Sequence, residues 1–319
     1  MADAKLTALT EISVPALEDL LYTVDDPAGT PVSDKVTAQR LMGLLGREPG
    51  GRLTLTTATP VTTSDVTAAG TLFYTPYLHT LLPVFDGTRW LLKTFAEISL
   101  ALTLTADKNH DVFVDDDAAT LSLSAAWTND TTRADALGTQ DGVTVLNSDK
   151  TKRWLGTLRA SGTDTTEDSR AKRFLWNAYH RRRRPLLRQE TTASWTYATA
   201  AWRQVNASAA NRVETVTGLV GEPIDLTSHV MASGSNIDGA HAVGQNSTTT
   251  PHADCVGIYF NSAADIRVST ARLVALPRLG YDAWNWLELG VATTITLYGQ
   301  RTGTSPPPYQ TGLSGACMA

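Results

Sequence analysis

From residue 52 onward the chain breaks into short apolar runs, each closed by a turn signal, and this spacing limits the fold more than any other feature. Asp86-Gly87-Thr88 sits between the runs 81–85 and 89–95, Asp141-Gly142 precedes 143–146, and Gly162 follows 154–158. Asp-Gly steps between apolar runs mark hairpins, because glycine supplies the backbone angles that tight turns need. Further runs fall at 52–57, 71–74, 100–105, 111–114 and 121–123. Rich in Thr, Val, Leu and aromatics, they read as the strands of a small barrel or sandwich over 49–165. A second series covers 190–319, with runs at 193–197, 202–205, 212–219, 224–231, 241–243, 256–260, 271–275, 283–288 and 293–298. Alternation around Ile224-Asp225-Leu226-Thr227 is that of a half-buried strand, and the density of strands suggests a jelly-roll-like sandwich. The expected class is mainly β.

Ahead of these blocks, residues 1–48 read as one hairpin (20–24 and 32–36 about an Asp-Asp-Pro-Ala-Gly turn) and a helix over 38–45 with Thr37 as N-cap. A hairpin and a helix bury little core alone, so this unit is expected to lean on copies of itself or on a partner.

Between the blocks, the stretch 165–187 reads as the chain's one substantial helix. Glu167, Asp168 and Ser169 offer caps and negative charge at its start, Arg181 to Arg184 put positive charge on its last turn, and Pro185 stops it. Ala171, Phe174, Leu175, Ala178 and Tyr179 recur at three- and four-residue spacing. Residues 166–189 are therefore expected to form a hinge helix and linker. Its apolar face (Phe174, Leu175, Ala178, Tyr179) would meet copies of itself about a threefold axis or pack on a neighbouring β domain.

Charged residues are 18% of the 319 and the net charge is −5, which argues against a general nucleic-acid binder. The four-arginine run is read as local, solvated or paired with nearby Asp and Glu. Two cysteines, Cys255 and Cys317, have no zinc or disulfide spacing and read as free thiols. The first residues lack the pattern of a secretory signal, and no apolar run approaches a bilayer's span, so a protein made soluble and not inserted in a membrane is expected.

No catalytic constellation emerges, and no cofactor or metal site is expected. The six histidines show no metal spacing; His241 and His252 share a stretch with Asp238 and Asp254 that reads as exposed loop. Asp115-Asp116-Asp117 lacks the glycine and distal glutamate of a calcium loop and reads as a charged turn. Aromatics gather in the last block: Trp195, Tyr197, Trp202, Tyr281, Trp284 and Trp286. Alternation puts Trp284 and Trp286 on one sheet face, where they would pack in a core or trimer interface or stack on a sugar. The expected receptor contacts are these two with Asn236, Asp238 and His241, in the Gly-, Ser- and Asn-rich stretch 233–254.

One resemblance covers much of the chain. KLTALTEISVPALEDLLYTVDDPAGTPVSDKVTAQRLMGLL at the start resembles the N-terminal module of tailed-bacteriophage structural proteins. TPVTTSDVTAAGTLFYTPY, VFDGTRWLLKTFAEISLAL, DVFVDDDAATLSLSAAWTNDTTRADAL and RFLWNAYHR resemble the same class through about residue 205, and Thr311 to Gly315 is also similar. The four arginines and the Cys-Met-Ala ending depart from it. The resemblance implies a non-enzymatic virion protein, a homotrimeric tail or head fibre. Residues 1–48 would attach to other virion proteins through Leu20, Tyr22, Val36, Leu41, Leu44 and Leu45, and residues 190–319 would face outward toward a host-surface glycan. A capsid-decorating head fibre and a tailspike with polysaccharide depolymerase or esterase activity are the alternatives.

Overall fold

The computed structural model describes residues 20–25, 32–37, 48–234, 237–257, 259–262, 266–291, 294–300 and 309–319. Its first elements are β1 (Leu20–Asp25) and β2 (Val32–Thr37), an antiparallel hairpin with Leu20 opposite Thr37. The strands match the expected hairpin. Leu41, Leu44 and Leu45, with the expected 38–45 helix, lie outside the described residues.

The first large block runs through β3 (Gly51–Thr54), β4 (Val66–Ala69), β5 (Thr71–Pro76), β6 (Leu81–Phe85), β7 (Trp90–Thr94), β8 (Ile98–Ala101), β9 (Asn109–Val114), β10 (Leu121–Leu123), β11 (Leu137–Gln140), β12 (Val143–Leu146) and β13 (Arg153–Gly162). The turn residues act where the sequence places them. Phe85 faces Trp90 across Asp86-Gly87-Thr88, while Asp141 and Gly142 both take positive φ (50° and 80°) between β11 and β12. Asp115-Asp116-Asp117 is the β9–β10 turn, where the Asp117 carboxylate accepts the backbone N–H groups of Ala119 and Thr120. The core joins Leu53, Leu72, Leu82, Val112, Leu155, Leu158 and Leu175. Asp111, fully buried, accepts the indole N–H groups of Trp127 and Trp154, the Thr157 hydroxyl and the Arg133 guanidinium, so a carboxylate in the interior is fully hydrogen-bonded.

Residues 165–189 are not a helix. They form β14 (Thr165–Asp168), β15 (Lys172–Arg173), β16 (Leu175–Asn177) and β17 (Arg183–Gln189). The apolar face expected of a helix is split between two sides of an extended chain. Leu175 enters the first core with Tyr179 packed against it. Phe174 meets Tyr281 edge-on, and Ala178 packs on the cluster of Phe113, Trp154, Trp176 and Val216. Aromatic residues favour strands, and a strand buried on both faces reads as a continuous apolar run that periodicity does not tell from a helix. The charges that resembled helix caps are cross-strand partners instead. Asp168 binds Arg173 at 2.8 Å and Arg184 at 3.0 Å. Arg181 pairs with Glu222, Arg182 donates to the Tyr77 hydroxyl, and Arg183 lies 3.7 Å from Asp225. The arginine run is thus paired locally, along and beside a strand.

The last block comprises β18 (Ser194–Tyr197), β19 (Arg203–Gln204), a 3-10 turn at Val205–Ala207, β20 (Arg212–Thr217), β21 (Ile224–Ser233), β22 (Ile237–Gln245), β23 (Tyr259–Ser262), β24 (Arg267–Ala275), β25 (Gly280–Gly290), β26 (Ile295–Tyr298) and β27 (Gly312–Met318). One sheet runs β17-β27-β21-β26-β18, with β24 beside β21. The facing layer, β20-β25-β22-β23, is the end of a 14-stranded sheet that starts in the first block as β10-β9-β13-β14-β15. The crossing point is the parallel pair β15–β20, with Arg173 opposite Thr215. The sandwich core joins Leu226, Val230, Leu273 and Leu297 of one sheet to Val213, Val243, Trp284 and Trp286 of the other. The fold is mainly β, as expected, but its two halves share a sheet where a helical hinge was expected.

Candidate functional site

The expected receptor contacts do not meet at a surface. Trp284 and Trp286 do share a face of β25, but that face is the sandwich interior, and both are fully buried. The Trp284 indole N–H donates to the Thr215 hydroxyl at 3.1 Å. They are core residues, the packing alternative for a Trp-Asn-Trp strand. The stretch holding Asp238 and His241 is strand β22, paired with β25 and β23, not an exposed loop. His241 is 1% exposed, with its ring nitrogens 2.7 Å from the Ser228 hydroxyl and 3.0 Å from that of Ser269. Burial, with a smaller effect of nearby His229, pushes its pKa down to about 4. Asp238 is half-buried on β22, and Asn236 lies outside the described residues. No group of three His, Cys, Asp or Glu suited to a metal occurs among the described residues. Cys255 and Cys317 are free.

A different aromatic group lies at the β18 edge of the same sandwich. Trp195 and Tyr197, cross-strand from Leu297 and Ile295, extend the inner face of their sheet to its edge strand β18, where they are only half-buried. Arg203 of β19 approaches from the other sheet, its guanidinium carbon 3.7 Å from the Tyr197 ring centroid. The Tyr197 hydroxyl donates to the Ala201 carbonyl at 2.7 Å, and Trp202 beside it is half-buried.

Two buried carboxylates hold this group in place. Glu288 accepts the Trp195 indole N–H at 2.8 Å, Arg203 Nε at 2.8 Å and the Asn206 backbone N–H at 3.1 Å. Glu190 accepts Asn211 Nδ2 at 2.6 Å, the Thr192 backbone N–H at 2.8 Å and Asn206 Nδ2 at 3.3 Å. Asn206, with φ of 55°, touches both. Asparagine tolerates that left-handed backbone better than most residues. Burial raises the Glu288 pKa above the usual carboxylate range. At Glu190 burial acts the same way but is outweighed by hydrogen bonds from Asn211, Thr192 and Asn206, so its pKa falls. Each carboxylate spends its oxygens on fixed donors, and Glu288 is 1% exposed. The arrangement therefore orients an aromatic ledge with Arg203, Asn206 and exposed Thr192 along its rim. Flat apolar faces beside fixed polar groups can take a ring with hydroxyls at its edge.

The sequence marked Trp195, Tyr197 and Trp202 as aromatics of this block. What it could not show is which aromatics end at an edge strand. Glu190 carried no signal, because its partners Asn206 and Asn211 are placed by the turn after β19.

No family model matches the chain, and no curated protein matches it. Among solved structures, a Bacillus thuringiensis Cry1Da tryptic core variant is similar at a TM-score of 0.20 and 9% identity, over 94% of this chain and 58% of that one. A likeness so slight bears on neither fold nor function. No helix among the described residues is long and apolar enough to cross a membrane.

Proposed function

We propose that this chain is a non-enzymatic fibre-type protein of a tailed-phage virion, fixed to the particle through residues 1–48. In this reading it acts as a homotrimer, in tail or capsid, and its C-terminal sandwich faces outward to adhere to a host-surface saccharide. The attachment half rests on the resemblance of the opening and middle segments to phage structural proteins. The adhesion half is carried by one observation, the edge ledge of Trp195 and Tyr197 oriented by Glu288 and Arg203. This takes the place of the buried Trp284 and Trp286. The test is binding of the full chain to an array of bacterial surface polysaccharides. Selective binding is expected, weakened by about tenfold in Trp195→Ala, a loss on the scale of one aromatic contact. Near-UV circular dichroism would show the fold retained. Absence of binding to any saccharide would remove the adhesion reading.

A further inference from the structure

Strand β24 presents two unlike faces. Ser269, Ala271, Leu273 and Ala275 point inward and are buried. On the outward face Val268 is 73% exposed and Val274 46%, and Ile266 and Leu276, flanking the strand, are 61% and 56% exposed. Val256, 72% exposed, joins this row through the ladder bridge to Arg272. These residues expose on the order of 500 Å² of surface, at the upper end of what monomers show in one apolar patch. With Thr270 and Arg272 among them, the face approaches the roughly 800 Å² that each partner buries in a standard interface. Beside it lies an open hollow of about 410 Å³ between Pro223, His252, Asp254, Val274 and Leu276.

Among the described residues the outer edge of the strand carries few backbone bonds. β24 pairs with β21 along its whole length, from Arg267 opposite Ala232 to Ala275 opposite Ile224. On its other edge, the backbone hydrogen bonds among the described residues are the two between Arg272 and Val256. By the alternation of an antiparallel ladder, Val268, Thr270 and Val274 turn their N–H and C=O groups to that edge. Exposed strand edges of this kind pair readily with another chain. The charges on the face indicate which chain. Arg272 forks onto Asp225 at 3.1 and 3.2 Å, Arg183 lies 3.7 Å from the same carboxylate, and Asp254 lines the hollow. Both signs are present and Arg272 and Arg183 already neutralise Asp225, so the face carries little net charge, as a surface that packs on its own copy requires. A polyanion or a strongly basic partner would meet repulsion from half of these charges.

We propose that the outward face of β24, with Val256 and the adjoining hollow, is the surface on which copies of this chain pack against one another. This deepens the assembly part of the proposed function and rests on it only for the number of copies.

The test is the mass of the full chain in solution by sedimentation, for the wild type and for Val268→Glu and Val274→Glu. Both positions are exposed, so the charge falls outside the core. Val256→Glu probes the same face from another segment should a β24 variant fail to fold. Leu78→Glu, at an equally exposed site in the first block (59%), is the control. The wild type and the control are expected at a multiple of 34.3 kDa, and the face variants at 34.3 kDa with unchanged circular dichroism. A multimer that survives in all the folded face variants would overturn this surface and leave self-association standing. A monomeric wild type would overturn both, and dissociation of Leu78→Glu as well would overturn the assignment to β24.

Discussion

His241 shows how one buried side chain ties stability to pH. Its imidazole reaches from β22 in one sheet to Ser228 and Ser269 on paired strands of the other and stays neutral, with a pKa of about 4 against an ordinary 6.5. The unfolded chain takes up a proton at this residue as the pH falls through 6.5, while the folded chain takes it up only near 4. The stabilisation is thus whole above 6.5 and is lost progressively from there down to about 4. At about 1.4 kcal/mol per pKa unit the loss is on the order of 3 kcal/mol. Urea unfolding across that interval is expected to show the decline, and His241→Gln, which keeps a donor and an acceptor, to flatten it. An unchanged slope in the variant would place the titration elsewhere. The sequence presented His241 as a surface residue because Gly, Ser and Asn surround it. The register of β22 on β25 decides its direction, and that register depends on residues far along the chain. Trp195 and Trp284 make the same point, since both sit in aromatic strands and only sheet position separates an edge from a core.

At the scale of elements, local chemistry was legible wherever a turn is self-contained. Asp86-Gly87-Thr88 and Asp141-Gly142 fix their hairpins within a few residues, and β6, β10 and β12 occupy the expected positions. The segment 165–189 was not legible in this way. Its charges satisfy a helix dipole as well as they satisfy Asp168, and its apolar residues fit both a helical stripe and a strand buried on both sides. What selects the strand is non-local, the pairing of β15 with β20 and of β17 with β27. A consequence is measurable with trypsin. A hinge helix with four arginines would be nicked early, whereas backbone held in two sheets resists, because cleavage requires local opening. Native protein is expected to stay uncut at Arg183 and Arg188, within β17, long after exposed sites elsewhere are cleaved. Early accumulation of fragments split there would contradict the strand pairing.

Among the described residues the whole molecule has two large apolar cores, one in each half, and two smaller clusters around Trp90 and Trp154, joined by the 14-stranded sheet and by contacts between distant residues. Arg52 of β3 donates to the carbonyls of His180 and Ala319, bringing the end of the chain onto the first block. The C-terminal sandwich is therefore braced against the first block. The proposed role is tested most directly by cryo-electron microscopy of phage particles assembled in cells that make this protein. Trimeric density is expected, with residues 1–48 at the particle and the Trp195–Tyr197 ledge facing solvent. Particles that lack this protein, or density with the sandwich buried against the particle and residues 1–48 pointing away, would contradict it.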